Sequence, residues 1–110
     1  MTHSILKQKI IALVAQIPSQ QVMYFGQIAK LIGGNPRTVG WIMSGLSPEE
    51  CTLIPWYRVV AKNGHISALK LGFKGQVQKD ILIQQNYILN GDFVDMKKHT
   101  LTDLTILRLI

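Results

Sequence analysis

The chain has 110 residues, of which 47% are hydrophobic, and a formal net charge of +6. This length predicts a single domain over residues 1–110 that can bury a core, and the hydrophobic content excludes an intrinsically disordered chain. No apolar run approaches the ~18 residues of a membrane span, and Lys7 and Lys9 interrupt the first apolar stretch too early for a signal peptide.

Three helices are predicted in the first half of the chain, and a glycine turn joins the last two. Apolar residues at helical spacing predict a first helix over residues 4–17, with Ser4 as its cap and Pro18 as its stop. A second helix is predicted over residues 27–32 and a third over residues 36–45. Between them stands Gly-Gly-Asn-Pro, in which asparagine suits a helix cap and proline a first helical position. The pair is typical of a helix-turn-helix.

Beyond Pro55 the pattern favours short strands. Residues 59–61 and 65–67 flank Lys-Asn-Gly, and Asn-Gly between such runs predicts a β-hairpin. Residues 72–75 are predicted as a loop and residues 76–85 as a helix, whereas the partly apolar tail over 90–110 leaves strand and helix open. The predicted fold is mostly α, a single winged-helix domain with a helix-turn-helix and a short β-hairpin wing.

Positive charge is concentrated in the middle of the chain. Between positions 30 and 79 the basic residues are Lys30, Arg37, Arg58, Lys62, Lys70, Lys74 and Lys79, and the only acids strictly inside that span are Glu49 and Glu50. A segment this basic suits a polyanion such as nucleic acid, because phosphates would supply sequence-independent affinity. The alternative is that the lysines only keep the surface soluble.

Residues that often carry metal or cofactor chemistry are few and scattered. His3, His65 and His99 lack the spacing of a metal site, and no glycine-rich nucleotide fingerprint is present. We therefore expect no metal and no cofactor. The single cysteine, Cys51, cannot form an intramolecular disulfide, has no adjacent histidine and is expected to be an idle thiol in a reducing compartment.

Residues 54–60 read I-P-W-Y-R-V-V and carry the most specific signal. This stretch resembles the active-site signature I-P-C-H-R-V-I/V of the O6-alkylguanine-DNA alkyltransferases. Three further stretches resemble the same family in the same order: residues 22–29 (its V-S-T-Y-G-E-I-A), Arg37 to Gly40 (its A-R-x-V-G) and residues 78–80 (the Q-K-D of its alkyltransferase-like members). Together they span about residues 20 to 85, and the combination is far more specific than any single part.

Both reactive residues of the signature are replaced. Trp56 stands where the family has its reactive cysteine, and Tyr57 stands where it has the histidine that helps to deprotonate that cysteine. An indole has no comparable nucleophile, and a phenol that titrates near pH ~10 is a poor proton acceptor at neutral pH. Gln85 also replaces the family's glutamate at the end of the next helix. The chain is thus similar to the alkyltransferase-like proteins, which recognise damaged DNA without repairing it.

The resemblance implies roles for individual residues. Arg37 would be an arginine finger that enters the minor groove and fills the space left by an extruded nucleotide, since a flat cation can stack there. The pocket for the flipped base would be formed by Tyr24, Trp56, Val59 and Ser67. Further contacts with DNA would come from Pro36, Thr38, Lys62 and Lys70. The frame of the signature would be Pro55, Tyr57 and Arg58, with Arg58 tying the loop to neighbouring helices.

The leading hypothesis is a non-enzymatic sensor of O6-alkylguanine in double-stranded DNA. The resemblance implies that it passes the lesion to nucleotide excision repair proteins, and we expect a monomer without a membrane partner, cytoplasmic and nucleoid-associated if bacterial. One alternative is an enzyme, a residual alkyltransferase or glycosylase. Another is a winged-helix transcription regulator that uses the same fold in the major groove.

Overall fold

The computed structural model describes residues 2–67 and 73–102. The helices are α1 (Thr2–Val14), α2 (Phe25–Ile32), α3 (Pro36–Ser44), α4 (Pro48–Leu53), α5 (Phe73–Gln84) and α6 (Met96–His99), and the strands are β1 (Met23–Tyr24), β2 (Val59–Val60), β3 (Leu89–Asn90) and β4 (Phe93–Val94). A 3-10 turn, Trp56–Arg58, directly precedes β2. In the described part of the chain no helix is long and apolar enough to cross a membrane.

The predicted helix-turn-helix is confirmed, with shifted ends. Gly33 closes α2 at a φ of +81°, a left-handed conformation that glycine adopts without strain. Asn35 caps α3, because its side chain accepts a hydrogen bond from the Thr38 backbone over 2.9 Å. α2 begins two residues before the predicted start, where the Gln27 Oε1 accepts from the backbone N–H of Tyr24 over 3.4 Å.

The other predicted helices also differ at their ends. α1 begins at Thr2 rather than at the predicted cap Ser4, and the N–H groups of Gln16 and Ile17 make 3-10 hydrogen bonds ahead of Pro18. α5 begins at Phe73, so residues 73–75, predicted as loop, are helical and residue 72 lies outside the described residues. α4 was not predicted from the pattern; it is short, and a capping box of Ser47 and Glu50 stabilises its start.

The predicted hairpin over residues 59–67 is wrong in its strand pairing. A tight turn does form, since the Gly64 N–H donates to the Ala61 carbonyl over 2.8 Å. However, β2 pairs in parallel with β1, with Met23 opposite Val59. β1 lies more than thirty residues before β2 in the chain. A local sequence pattern therefore cannot predict that these two strands pair.

The antiparallel hairpin of this fold lies further along the chain, at β3–β4. The segment that ends the turn is hydrogen-bonded to this hairpin. The Ile66 N–H donates to the Asp92 carbonyl, and the Val94 N–H donates to the Gly64 carbonyl. Gly64 has a φ of +89°, and a Cβ there would lie 2.3 Å from the Val94 carbonyl oxygen. Any side chain at this position would force the turn and the hairpin apart.

Two apolar clusters lie on opposite sides of the β1–β2 pair. The larger one joins α1, α2, α3 and the end of α4, and Met23 and Val59 belong to it. The smaller one lies between the strands, α5 and the C-terminal hairpin and includes Val60 and Leu82. Because successive side chains of a strand point to opposite faces, the two residues of each short strand serve different clusters.

Candidate nucleic-acid interface

The exposed side of α3 carries two of the residues predicted to contact DNA. Val39, Ile42 and Met43 are buried in the larger cluster and fix which face of the helix points inward. Pro36 and Arg37 are consequently exposed at the first two helical positions. Helical geometry places positions 41 and 44 on the same side as Arg37, one and two turns further along.

A cavity of about 380 Å³ opens beside this face. It lies between α3, the 3-10 turn and the start of α5. Its volume is within the ~300–1,000 Å³ of small-ligand pockets. The described residues that line it are Phe25, Gly40, Trp41, Met43, Ser44, Trp56, Val59, Ser67, Lys74 and Gln78. Three aromatic side chains and one lysine thus surround a space suited to a flat, partly apolar group.

Three of the four residues predicted for the pocket meet at this cavity. Trp56, Val59 and Ser67 line it. They come from three segments, namely the 3-10 turn, β2 and the residues that follow the tight turn at 61–64. Residues 68–72, which include the predicted DNA contact Lys70, lie outside the described residues.

Tyr24 does not line the cavity, contrary to its predicted place. Tyr24 pairs with Val60 and packs against the smaller cluster, whereas Val59 faces the larger cluster and the cavity. The alternation of side chains along a strand therefore puts the phenol on the other side of the sheet. A Cβ on Gly26 would lie 3.5 Å from the Tyr24 ring and 3.7 Å from the Pro36 ring, so Tyr24 stands beside the start of α3.

The loop that carries Trp56 is anchored from α5 through Gln78. This buried amide donates through Nε2 to the carbonyl of Tyr57 over 3.1 Å and to that of Val59 over 2.9 Å. Two backbone carbonyls of this segment thereby accept hydrogen bonds from one side chain. Gln78 belongs to the Q-K-D stretch. This motif therefore anchors the segment from which Trp56 and Val59 line the cavity.

Arg58 ties the same loop to the segment that follows α1 and to the residue that follows α5. Its Nη1 donates to the Ile17 carbonyl over 2.9 Å and its Nη2 donates to the Gln85 Oε1 over 3.3 Å. The guanidinium carbon also lies 5.4 Å from the centroid of the Tyr57 ring, a cation–π distance. The half-buried Arg58 is therefore used inside the protein and is not part of the exposed α3 face.

Besides Arg37, the lysines of the central basic segment differ in their surroundings within the described part of the chain. Lys62 is exposed in the turn between β2 and the segment that joins the C-terminal hairpin. The Nζ of Lys74 lies 5.4 Å from the centroid of the Trp56 ring, at the cavity. Lys79 is engaged elsewhere, in an ion pair of 2.8 Å with Asp92.

Sequence reasoning missed several cavity residues, most clearly Phe25, Trp41 and Lys74. Trp41 is 63% exposed and lies one helical turn after Arg37, so its spacing on α3 was a usable signal. Phe25 and Lys74 gave no such signal, because they begin helices that reach the cavity from different directions. Cys51 is half-buried against the larger cluster and does not line the cavity.

The chain matches one protein family and several characterised relatives. The family described as 6-O-methylguanine DNA methyltransferase, DNA binding domain, matches residues 6–86. Alkyltransferase-like protein 1 of Schizosaccharomyces pombe is 37% identical over 79 residues, which cover 70% of this chain and 71% of that protein. A DNA base-flipping protein of Escherichia coli is 35% identical over 96 residues, which cover 84% of this chain and 70% of that protein.

A similar fold is found in a solved structure. The crystal structure of S. pombe Atl1 in complex with damaged DNA containing O6-carboxymethylguanine matches with a TM-score of 0.77 and 27% identity, and the match covers 90% of this chain and 96% of that one. The family match spans more than half of the chain, and the relatives agree with it in sequence and fold. The chain therefore belongs to the 6-O-methylguanine DNA methyltransferase family, through its DNA-binding domain, and within that family it is an alkyltransferase-like protein.

Proposed function

We propose that the protein is a non-enzymatic sensor that binds duplex DNA in the minor groove and flips O6-alkylguanine into the cavity. The observation that carries the proposal is the position of Trp56. Its indole lines the cavity at the point of the signature where the resemblance expects a reactive cysteine. A side chain that offers a stacking surface in that place holds a base and does not accept its alkyl group.

The relatives support this proposal. Atl1 has been crystallised with damaged DNA containing O6-carboxymethylguanine, and the E. coli relative is a DNA base-flipping protein. A flipped base costs a few kcal/mol in lost stacking and pairing, so the protein must supply contacts that offset this cost. The aromatic cavity supplies contacts for the extruded base, and α3 supplies a residue for the gap left in the duplex.

Arg37 is the residue that fills this gap. It is exposed near the start of α3, and the buried side of that helix holds its backbone firmly in place. A guanidinium is flat and always charged, so it can stack between base pairs and donate hydrogen bonds to the partner base. We propose that Pro36 and Thr38 lie against the sugar-phosphate backbone beside it, with Tyr24 donating to a phosphate from outside the cavity.

Lys62 and Lys70 extend the contact with phosphates. Lys62 is exposed on the turn that follows β2, where its charge is available to a polyanion. Contacts of this kind add affinity without sequence preference and weaken as salt rises. We propose that they position the protein on the duplex, whereas the cavity recognises the lesion.

The protein does not repair the lesion in this proposal. Alkyl transfer needs an activated thiol, and the only cysteine, Cys51, packs against the apolar core and not in the cavity. The benefit of binding must then come from a later step, and we propose that the complex recruits nucleotide excision repair proteins. It would act as a monomeric single domain, without cofactor, in the cytoplasm.

Binding to matched duplexes tests the proposal directly. Fluorescence anisotropy with one duplex that carries either guanine or O6-methylguanine at a single position should show tighter binding to the alkylated DNA. The label of a duplex that carries O6-[³H]methylguanine should stay on the DNA. Equal affinity for both duplexes would contradict damage sensing, and stoichiometric label on the protein would establish an alkyltransferase. A footprint at one undamaged sequence would indicate a transcription regulator.

A further inference from the structure

Lys74 is the only charged side chain among the described residues that line the cavity. The other lining side chains are apolar or, like Ser44, Ser67 and Gln78, polar and uncharged. Lys74 is half-buried near the start of α5, and its Nζ lies 5.4 Å from the centroid of the Trp56 ring. The ammonium therefore lies over the indole against which a flipped base would stack.

This ammonium has no carboxylate partner within the described part of the chain. The ion pairs found there join Lys7 to Glu50 and Lys79 to Asp92. The partner of Lys74 is the indole face, and a cation–π contact with a half-exposed lysine is weak. Its positive charge is thus available to an anion that enters the cavity.

An anion would be bound more firmly here than at the surface. The cavity wall is largely aromatic and aliphatic, and a cavity filled by a flat base excludes much of its water. A lysine side chain has several rotatable bonds, so an entering base can displace the ammonium from the indole face towards the substituent that the base carries. A carboxylate on that substituent would then form a charge-assisted hydrogen bond with Nζ.

We propose that Lys74 reads the charge of the O6 substituent, so that the cavity prefers adducts ending in a carboxylate over uncharged adducts of the same shape. This inference rests on the proposed function and deepens it. It assigns Lys74 as a specificity-determining residue, distinct from the stacking surface of Trp56 and from the exposed Arg37. The corresponding ligand is O6-carboxymethylguanine, and its uncharged counterpart is the carbamoylmethyl adduct, in which an amide replaces the carboxylate.

The test compares four duplexes of one sequence with three variants. The central base is guanine, O6-methylguanine, O6-carboxymethylguanine or O6-carbamoylmethylguanine, and the proteins are the unmodified chain, Lys74→Met, Lys74→Arg and the control Lys97→Met. Lys97 is an exposed lysine on α6 that does not line the cavity. Dissociation constants are measured at two salt concentrations, and thermal unfolding verifies that each variant is folded.

We expect the unmodified protein to bind the carboxymethyl duplex roughly five- to tenfold more tightly than the carbamoylmethyl duplex at low salt, with a smaller ratio at high salt. Lys74→Met should bring this ratio close to one, whereas Lys74→Arg and Lys97→Met should keep it.

An unchanged ratio in Lys74→Met would overturn the inference. Equal weakening on all four duplexes would also overturn it, because Lys74 would then contact a phosphate. A protein that prefers O6-methylguanine to guanine but does not distinguish the carboxylate from the amide would refute only the inference. No preference for any alkylated duplex would refute the proposed function and the inference with it.

Discussion

The side-chain amide of Gln85 donates a hydrogen bond to the phenol oxygen of Tyr57 over 3.0 Å. The oxygen of the same amide accepts a hydrogen bond from Arg58. Gln85 thus links Tyr57 and Arg58, and no carboxylate takes part in this contact. By resemblance, this is where the alkyltransferases have the histidine and glutamate that activate their cysteine. Here the equivalent positions hold a phenol and an amide, which are joined to each other and to Arg58 by hydrogen bonds.

This relationship predicts that restoring the cysteine alone will not restore alkyl transfer. In Trp56→Cys the thiol lacks a base and should remain mostly protonated near neutral pH. Adding Tyr57→His should increase transfer, and adding Gln85→Glu should increase it further, because position 85 is within hydrogen-bond reach of position 57. The measurement is the rate of transfer of a labelled methyl group from DNA to protein. Fast transfer by Trp56→Cys alone would show that the missing base does not matter.

Removing the indole should weaken binding and reduce discrimination. We expect Trp56→Ala to cost ~1–3 kcal/mol, about ten- to a hundredfold in affinity, as for other aromatic side chains that stack on bases. The loss should be larger for O6-methylguanine than for guanine, because the apolar wall that faces the alkyl group is lost as well. Leu53→Ala, which removes an exposed side chain outside the cavity, is the matched control. If Trp56→Ala still favours alkylated DNA undiminished, the lesion is read elsewhere.

Arg37→Ala should weaken lesion binding more than Lys62→Ala, although both remove one exposed positive charge. A lost phosphate contact lowers affinity on all duplexes and reduces the salt slope by about one unit. If Arg37 also fills the space that the flipped nucleotide leaves in the duplex, its loss should lower the affinity for the alkylated duplex further. Titrations over a range of salt concentrations separate these effects, and equal behaviour of the two variants would make Arg37 an ordinary phosphate contact.

Gln78→Leu should destabilise the fold through the loop that carries Trp56. The substitution removes a donor from the Tyr57 and Val59 carbonyls, and a buried group that is left unsatisfied costs about 1–3 kcal/mol. Gln76→Leu on the same helix removes only an exposed hydrogen bond with Asp80 and should change stability by less than about 0.5 kcal/mol. Urea unfolding measures both. Similar stabilities of the two variants would mean that other contacts hold the loop.

Stability should fall in acid partly through Glu50. The hydrogen bond from the Ser47 backbone, followed by the contact with Lys7, lowers the pKa of this carboxyl below its usual 4.5. A lowered folded-state pKa stabilises the fold above pH 4.5, and this contribution is lost as the pH falls through the folded-state pKa. Glu50→Gln should therefore show a smaller drop in urea midpoint between pH 6 and pH 3 than the unmodified protein, with Glu49→Gln as the control. Parallel curves for Glu50→Gln and the unmodified protein would contradict this role.

The sequence by itself determined the features that depend on near neighbours in the chain. Asn35 caps a helix that begins at the next residue, and the position of Arg37 on α3 follows from that cap. The replacement of cysteine by Trp56 within its signature is likewise a local fact. Such features are readable because helix caps and helix periodicity connect residues only three or four positions apart.

Only the tertiary structure decided which residues meet at the cavity and which strands pair. The Asn-Gly turn was visible in the sequence, but β2 pairs with β1 and the segment after the turn joins the β3–β4 hairpin. Trp41 and Lys74 reach the cavity from two helices, whereas Tyr24 is turned away from it by its place on β1. These outcomes depend on contacts between residues far apart in the chain, where burial of both faces of a short sheet outweighs local preference.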